Sequence, residues 1–254
     1  MMRSEQGNEN ILDDSDMAKG VDQPPMEKPR SESGPTIALS TVTESMDPRA
    51  NLFKCMVNRE SRRSYTGEPL SLDEMAFLLW CTQGVKRVIP GYRRFTKDGK
   101  QQMRVVPSGG ARNVYETYLA VLRVEGLESG IWRYRPIEHE LTHVATKPGL
   151  GNVLAELCSN PGQQQHYVTS ASVLFMWTCV PYRGEWRYKH SAHKNMLIDL
   201  GHICQNLYLG VEAIGCGCCA IGGYRQSEAD ALLGVDGEDE FTTLCAAVGR
   251  LNAK

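Results

Sequence analysis

The stretch 196–223, MLIDLGHICQNLYLGVEAIGCGCCAIGG, restricts the possible folds of this chain more than any other. Leu197, Leu200, Cys204, Leu207, Tyr208, Val211 and Ile214 recur at steps of three and four, the period of one helical face. The opposite side is not a charged face, because Asp199, His202 and Asn206 form a thin polar stripe among Ile198, Ile203 and Leu209. A helix that is apolar nearly all round belongs in a core or at a subunit interface. The stripe then reads as an internal hydrogen-bond seam and His202 as a core histidine. Gly215 ends the helix, since glycine enters the left-handed cap conformation without a Cβ clash. Small residues follow, up to Gly222 and Gly223. Backbone bared in this way admits a flat or phosphorylated ligand.

A chain of 254 residues that is 41% hydrophobic can bury a sizeable core as one large domain or two small ones. Its formal charge of -2 supplies no field that would select nucleic acid or an anionic membrane as partner. No apolar run reaches the ~20 residues of a bilayer span, and the first residues lack a signal-like apolar core. A cytoplasmic location is therefore expected. The nine cysteines are odd in number and lie mostly in apolar segments, which suits free thiols in a reducing compartment.

Residues 1–47 form an acidic arm rich in Ser, Glu, Pro and Asp, with too few apolar residues to offset the entropy of ordering. Its first part is expected to be disordered; 24–40, carrying Ile37 and Leu39, either lies extended along another surface or stays loose. The folded domain is expected over 48–254. Residues 51–58 show a short helical pattern, and Ser71-Leu72-Asp73-Glu74 is a capping box ahead of an apolar helix. Residues 91–102 read as a surface loop, 114–124 as a strand toward its end, Trp132, Tyr134 and Leu141 as a hairpin, and 150–158 as a helix. The run 173–180, VLFMWTCV, is too apolar for an exposed strand and fits the middle of a sheet. Residues 183–194 read as a polar loop, 227–233 as a short helix and 241–248 as a final strand. Separated strands and long helices without regular alternation favour an α+β layer fold over a doubly wound one.

Three places carry candidate chemistry. Arg59, Ser61, Arg62 and Arg63 offer guanidinium forks and a hydroxyl suited to a phosphate or a ring carbonyl, although such clusters are also common on solvated surfaces. Pro107-Ser108-Gly109-Gly110 adds a hydroxyl and backbone amides able to cradle an anion. In the 183–194 segment His190 and His193 can face a substrate, and Tyr182, Trp186 and Tyr188 can stack on a planar ligand or pack at a subunit surface. Cys216, Cys218 and Cys219 have no second Cys or His pair at zinc spacing and read as packing residues, so no metal is expected. Walker and dinucleotide fingerprints are missing from the sequence.

Five short motifs occur in one order: Arg59-x-Ser61-x-Arg63, Pro107-Ser108-Gly109-Gly110-Ala111, Gly201-His202-x-x-Gln205-Asn206-Leu207-Tyr208-Leu209, Ala220-Ile221-Gly222-Gly223 and Val248-Gly249-Arg250. In that order they resemble the nitroreductase-like family of FMN-dependent flavoproteins, over 48–254. Within it the chain looks most like the branch containing the azoline dehydrogenases of thiazole and oxazole peptide biosynthesis. The resemblance implies a mixed, mainly antiparallel sheet flanked by helices, in an interlocked homodimer with FMN at the interface. It sets Arg59 and Arg250 toward the phosphate, and Ser61 and Arg63 toward the ribityl chain and pyrimidine edge. Pro107, Ser108 and Gly109 would come from the partner subunit. Gln165 would face the isoalloxazine, with Ile221, Gly222 and Gly223 along its N5 side. Tyr188 and Arg187 occupy the place of a catalytic lysine-tyrosine pair in azoline dehydrogenases, and arginine is a poor base. The implied activity is flavin reduction by NADH, NADPH or another donor, and reoxidation by a flat electron-poor small-molecule acceptor of the quinone or nitroaromatic type. The alternatives are azoline oxidation within a larger assembly and a flavin-binding protein without turnover.

Overall fold

The computed structural model describes residues 14–43, 51–90, 100–159 and 166–252. In chain order their elements are β1 (Thr36–Ala38), α1 (Leu52–Asn58), α2 (Leu72–Gln83), β2 (Val85–Pro90), β3 (Lys100–Arg104), β4 (Tyr115–Val121), β5 (Gly130–Arg135) and β6 (Glu140–Ala145). There follow α3 (Leu150–Leu157), α4 (Tyr167–Ser170), β7 (Val173–Cys179), α5 (Tyr182–Tyr188), α6 (Ala192–Ala213), β8 (Cys216–Ile221), α7 (Gln226–Leu233) and β9 (Phe241–Arg250). Seven strands form one sheet in the order β1-β6-β5-β4-β7-β9-β8, and β2 and β3 form a separate hairpin. Every pairing inside the large sheet is antiparallel. Parallel contacts are confined to isolated bridges such as Ser61 with Cys218.

β7 is apolar except at Thr178 because it lies inside the sheet with both faces covered, and all seven of its residues are buried. Alternation along the neighbouring β4 sorts the two layers. Tyr115, Leu119 and Val121 face one core with residues of α2 and α6, among them Met75, Leu79, Leu207 and Val211. Tyr118 and Ala120 face the other core, with Leu154 of α3 and Leu233 of α7. Helices on both sides of one antiparallel sheet make an α+β architecture, as the sequence predicts. The capping box forms as expected: Ser71 Oγ accepts from Glu74 N–H at 3.2 Å and Glu74 Oε2 accepts from Ser71 N–H at 2.9 Å.

Several expectations are corrected. Residues 183–194 are not a loop, since α5, a 3-10 turn over Lys189–Ser191 and the start of α6 fill them. Their inward side is built from Arg183, Gly184 and Trp186 rather than from aliphatic residues, so no apolar period marks the helix. Trp186 is 1% exposed, with an arginine, Arg112, 4.7 Å over its ring, and is closed to a stacking ligand. His202 is exposed, not a core histidine. Residues 100–102, read as loop, belong to β3, whose partner β2 supplies ladder bonds; the rest of that expected loop, 91–99, lies outside the described residues.

The arm is extended along the fold over 24–40, and β1 adds to the sheet edge beside β6. Arg133 of β5 explains part of this path. Its side chain is 0% exposed, and a buried guanidinium is costly unless its donors are met. The arm meets them through Glu32 at 2.5 Å, the Lys28 carbonyl at 3.0 Å and the Pro29 carbonyl at 3.2 Å. Nearby, burial against Glu138 raises the Glu27 carboxyl to about 7.

Candidate functional site

The first candidate motif begins where α1 ends. Asn51 caps α1 by accepting from Lys54 N–H at 3.0 Å, and the chain leaves the helix at Arg59 in an extended conformation. It then runs beside β8: Ser61 bridges Cys218, and the Arg62 N–H donates to the Cys218 carbonyl at 2.9 Å. The period of α6 marks Tyr208 as a packing residue, yet its hydroxyl is the hub of this region. It lies 2.9 Å from Ser61 Oγ and accepts from the Ala220 N–H at 2.9 Å. The Arg59 guanidinium stands 5.4 Å from the centroid of the same ring. One phenol therefore joins the arginine motif, the long helix and the β8 end. Arg62 turns aside to pair with Glu60, whereas Ser61 and Arg63 are exposed.

At the end of β8, Ile221 is buried while Gly222 is exposed. A Cβ built on Gly222 would meet no atom within 4 Å, and its φ lies outside the left-handed region. Nothing in the fold of this chain requires a glycine there. Gly223 follows, half-buried. Arg250 closes β9 opposite Cys216. Its Nη2 pairs with Glu74 at 2.6 Å and its Nε donates to the Pro69 carbonyl at 3.1 Å.

The second candidate region surrounds the loop 107–110. The hydroxyl and amide expected to cradle an anion hold one from the chain itself, the carboxylate of Asp199 on α6. It accepts from Ser108 Oγ at 2.6 Å and from the Gly109 N–H at 3.1 Å. Burial raises the pKa of Asp199, while the Ser108 and Gly109 bonds oppose the rise. This supplies a partner for the polar stripe read from sequence; Asn206 finds another in the Cys81 carbonyl at 2.9 Å. Pro107 is exposed at the tip.

Gly110 (φ 60°), Ala111 (52°) and Asn113 (48°) all sit in the left-handed region, an unusual density of strain outside glycine. A Cβ on Gly110 would stand 2.3 Å from Tyr188 Oη and 2.7 Å from Arg187 Nη1. The pair at the end of α5 thus packs directly on this loop. The Arg187 guanidinium lies 5.0 Å from the Tyr188 ring centroid.

Two groupings result. Arg59, Ser61, Tyr208 and the 220–223 turn form one; Ser108, Gly109, Asp199, Arg187 and Tyr188 form the other. Asp199 and Tyr208 are nine residues apart on α6, roughly two and a half turns and 13 Å. They leave the helix on opposite sides. Within one chain, then, the two groupings do not converge. Gln165 falls outside the described residues. A cleft of about 740 Å³ lies elsewhere, among Pro24, Lys28, Tyr182, Asp236 and Glu240, and of the candidate residues Tyr182 lines it.

The thiols between the groupings are packed. Cys216 and Cys218 join the core beneath α6, and burial holds the Cys218 thiol well above its usual pKa. Cys219 faces the other way, under the Tyr167 hydroxyl at 3.6 Å. Among the described residues, no helix is long and apolar enough to cross a membrane.

Comparison with known proteins adds the following. The model of the Nitroreductase family matches residues 56–250. A Methanocaldococcus jannaschii protein bearing a nitroreductase name is 25% identical over 195 residues, which is 77% of this chain and 88% of that protein. The trifolitoxin-processing protein TfxB of Rhizobium leguminosarum bv. trifolii is 29% identical over 119 residues, 46% of this chain and 31% of TfxB. Among solved structures, a nitroreductase-type chain of Anabaena variabilis superposes with a TM-score of 0.65 at 25% identity, covering 86% of this chain and 42% of that one. This chain thus spans about a third of TfxB and less than half of the Anabaena chain. The E. coli microcin synthetase McbBCD, solved with truncated pro-MccB17, shares the fold at a TM-score of 0.62 and 19% identity, over 89% of this chain and 79% of that one.

Proposed function

This chain belongs to the nitroreductase family, and from that premise we infer that it is an FMN-dependent oxidoreductase working as a homodimer. The observation that carries the reading is the Tyr208 hydroxyl, which fastens Ser61 of the arginine motif to Ala220, two residues ahead of the open backbone at Gly222. The donor set suits the cofactor: two guanidinium groups for a phosphate, a hydroxyl for the ribityl chain, and a glycine surface against a planar ring. FMN, when bound, supplies the electron-transfer chemistry.

The remaining work falls to side chains of the protein. Arg59 and Arg63 bind the phosphate and pyrimidine edge, with Arg250 as a further cation. The 107–110 loop, which Ser108 and Gly109 fasten to Asp199, and the Arg187–Tyr188 pair packed on it serve the flavin held by the other subunit, because Asp199 leaves α6 on the far side from Tyr208. Exposed Leu52, Phe53, Met56 and Val57 on α1, with Leu197 and Ile198 on α6, supply the apolar surface for that association. Tyr188 moves or holds a proton at its Oη next to the acceptor. Arginine is a poor base, so Arg187 is not given that part. NADH or NADPH donates, leaves, and a flat quinone-like or nitroaromatic acceptor takes its place.

A second reading, azoline oxidation on a peptide, is favoured by the likeness to TfxB and to the fold of McbBCD. Arg187, standing where that chemistry uses a lysine, weighs against it. An absorbance spectrum of the purified protein followed by anaerobic titration with NADH and NADPH tests the proposal. A flavin spectrum bleached by either nucleotide supports it; protein that stays colourless after incubation with FMN refutes it.

A further inference from the structure

The family match begins at residue 56, so nothing in it accounts for residues 14–21. Yet these residues are fastened along the whole of α5. Asp14 pairs with Lys189 Nζ at 2.8 Å. Tyr182 Oη donates to Asp16 Oδ2 at 2.9 Å. The Met17 N–H donates to the Trp186 carbonyl at 3.0 Å, and Trp186 Nε1 donates to the Val21 carbonyl at 3.0 Å. Met17 and Ser15 are buried, at 3% and 0% exposure.

The positions reached, 182, 186 and 189, are spaced four and three apart, so the first two share one face of α5 and the third continues its line just past the helix end. Arg187 and Tyr188 turn away from that line, onto Gly110. The inward side of α5 is held by Arg183 on Glu116 and by Arg112 over the Trp186 ring; the arm holds its other side and its C-terminal end. The helix spans seven residues, has no side-chain N-cap, and ends at Lys189 with φ 49° and ψ -139°. That conformation is sparsely populated for a residue with a side chain and persists only where the surroundings impose it. The surroundings that impose it include the arm, through Asp14 on Lys189 itself and Met17 on the preceding turn.

We propose that residues 14–21 are positioning residues for Tyr188: the arm grips the back of α5 and fixes where the phenol stands relative to the flavin. The proposal rests on the reading of Tyr188 as a residue facing FMN. Met17→Pro, in the full-length chain, removes the N–H donated to Trp186. Gln23→Ala, which removes only the bond to the Lys100 carbonyl, is the control and leaves turnover at the wild-type value.

Stopped-flow reoxidation of the reduced protein by a quinone is expected to slow roughly ten- to a hundredfold in Met17→Pro, the scale of a displacement of about 1 Å. FMN affinity stays within about twofold, since the phosphate donors are elsewhere. In a Tyr188→Phe background the same substitution has no further effect on the rate, because both changes act through one phenol. A merely structural arm gives the opposite: FMN affinity falls in parallel, or the rate loss persists without the phenol, and either result overturns the proposal. Hydrogen exchange of amides 182–189, read by mass spectrometry, separates this from the flavin assignment. Faster exchange there with no flavin chemistry in the wild type refutes the function and keeps the grip; unchanged exchange refutes the grip whatever the flavin does. If Met17→Pro fails to fold, the double variant Asp14→Ala/Asp16→Ala carries the same measurements, with unchanged exchange and rate as the refuting result.

Discussion

Gly222 permits a test in which fold and ligand give opposite answers. Its φ is accessible to any residue, and a methyl placed on it meets no atom within 4 Å. Gly222→Ala should therefore leave the protein without FMN as stable as the wild type, or raise its stability by about 0.4–1 kcal/mol through the lost freedom of the unfolded chain. With a flavin ring against that backbone, the same methyl overpacks the contact. Overpacking costs about 1–3 kcal/mol, which corresponds to roughly 5- to 150-fold in Kd. Gly222→Val extends the series with a larger obstruction at the same place. The assays are thermal unfolding of the FMN-free protein and quenching of flavin fluorescence on titration. An unchanged Kd in both variants would show that the open space beside Gly222 is not where the flavin lies. A fall in Tm without FMN would show instead that the space is closed.

Tyr208→Phe removes the hub hydroxyl and leaves the Ala220 N–H without its acceptor; about 1–3 kcal/mol of stability should be lost and FMN should bind more weakly, whereas an unaltered melting curve would contradict the hub. Glu27 holds its proton up to about 7 in the fold, against 4.5 as its ordinary value, because it is buried and faces Glu138. The folded chain therefore binds more protons than the unfolded one between those values, and this contribution to stability, full below 4.5, is lost as the pH rises through 7. Comparison of Tm with Glu27→Gln across that range should show the wild type losing ground as the pH rises, and a constant difference would refute it.

The parts of the fold legible in the sequence are those whose signal is local. α6, β7 and the capping box of α2 each carry their own periodicity or cap, and all three form where the pattern lies. α5 was illegible because its buried side consists of Arg183, Gly184 and Trp186, and Arg183 is tolerated inside through Glu116 and the Asn113 carbonyl, both far away in sequence. The arm was half legible for the same reason: its path is dictated by Arg133, whose need for partners cannot be seen in the arm itself. Of the site, motif order located the groups, but not what occupies them. The amides of 107–110 looked ready for a ligand, and only the fold shows Asp199 already there. Asp199 and Tyr208 were both visible in the helix, where a hydrogen-bonding role and a packing role leave the same trace.

The opposed directions of those two residues on α6 have a genetic counterpart. If each flavin lies between the Tyr208 side of one subunit and the Asp199 side of the other, Arg63→Ala damages one side of both sites and Tyr188→Phe the other side of both. Each homodimer is then impaired twice. In a mixed dimer both lesions fall into the same site and leave its twin wholly wild type, so the two alleles complement when coexpressed. Lesions chosen within one grouping, Arg63→Ala with Ser61→Ala, do not. The residues of the chain thus divide into two complementation groups, and the boundary between them runs down the axis of a single helix.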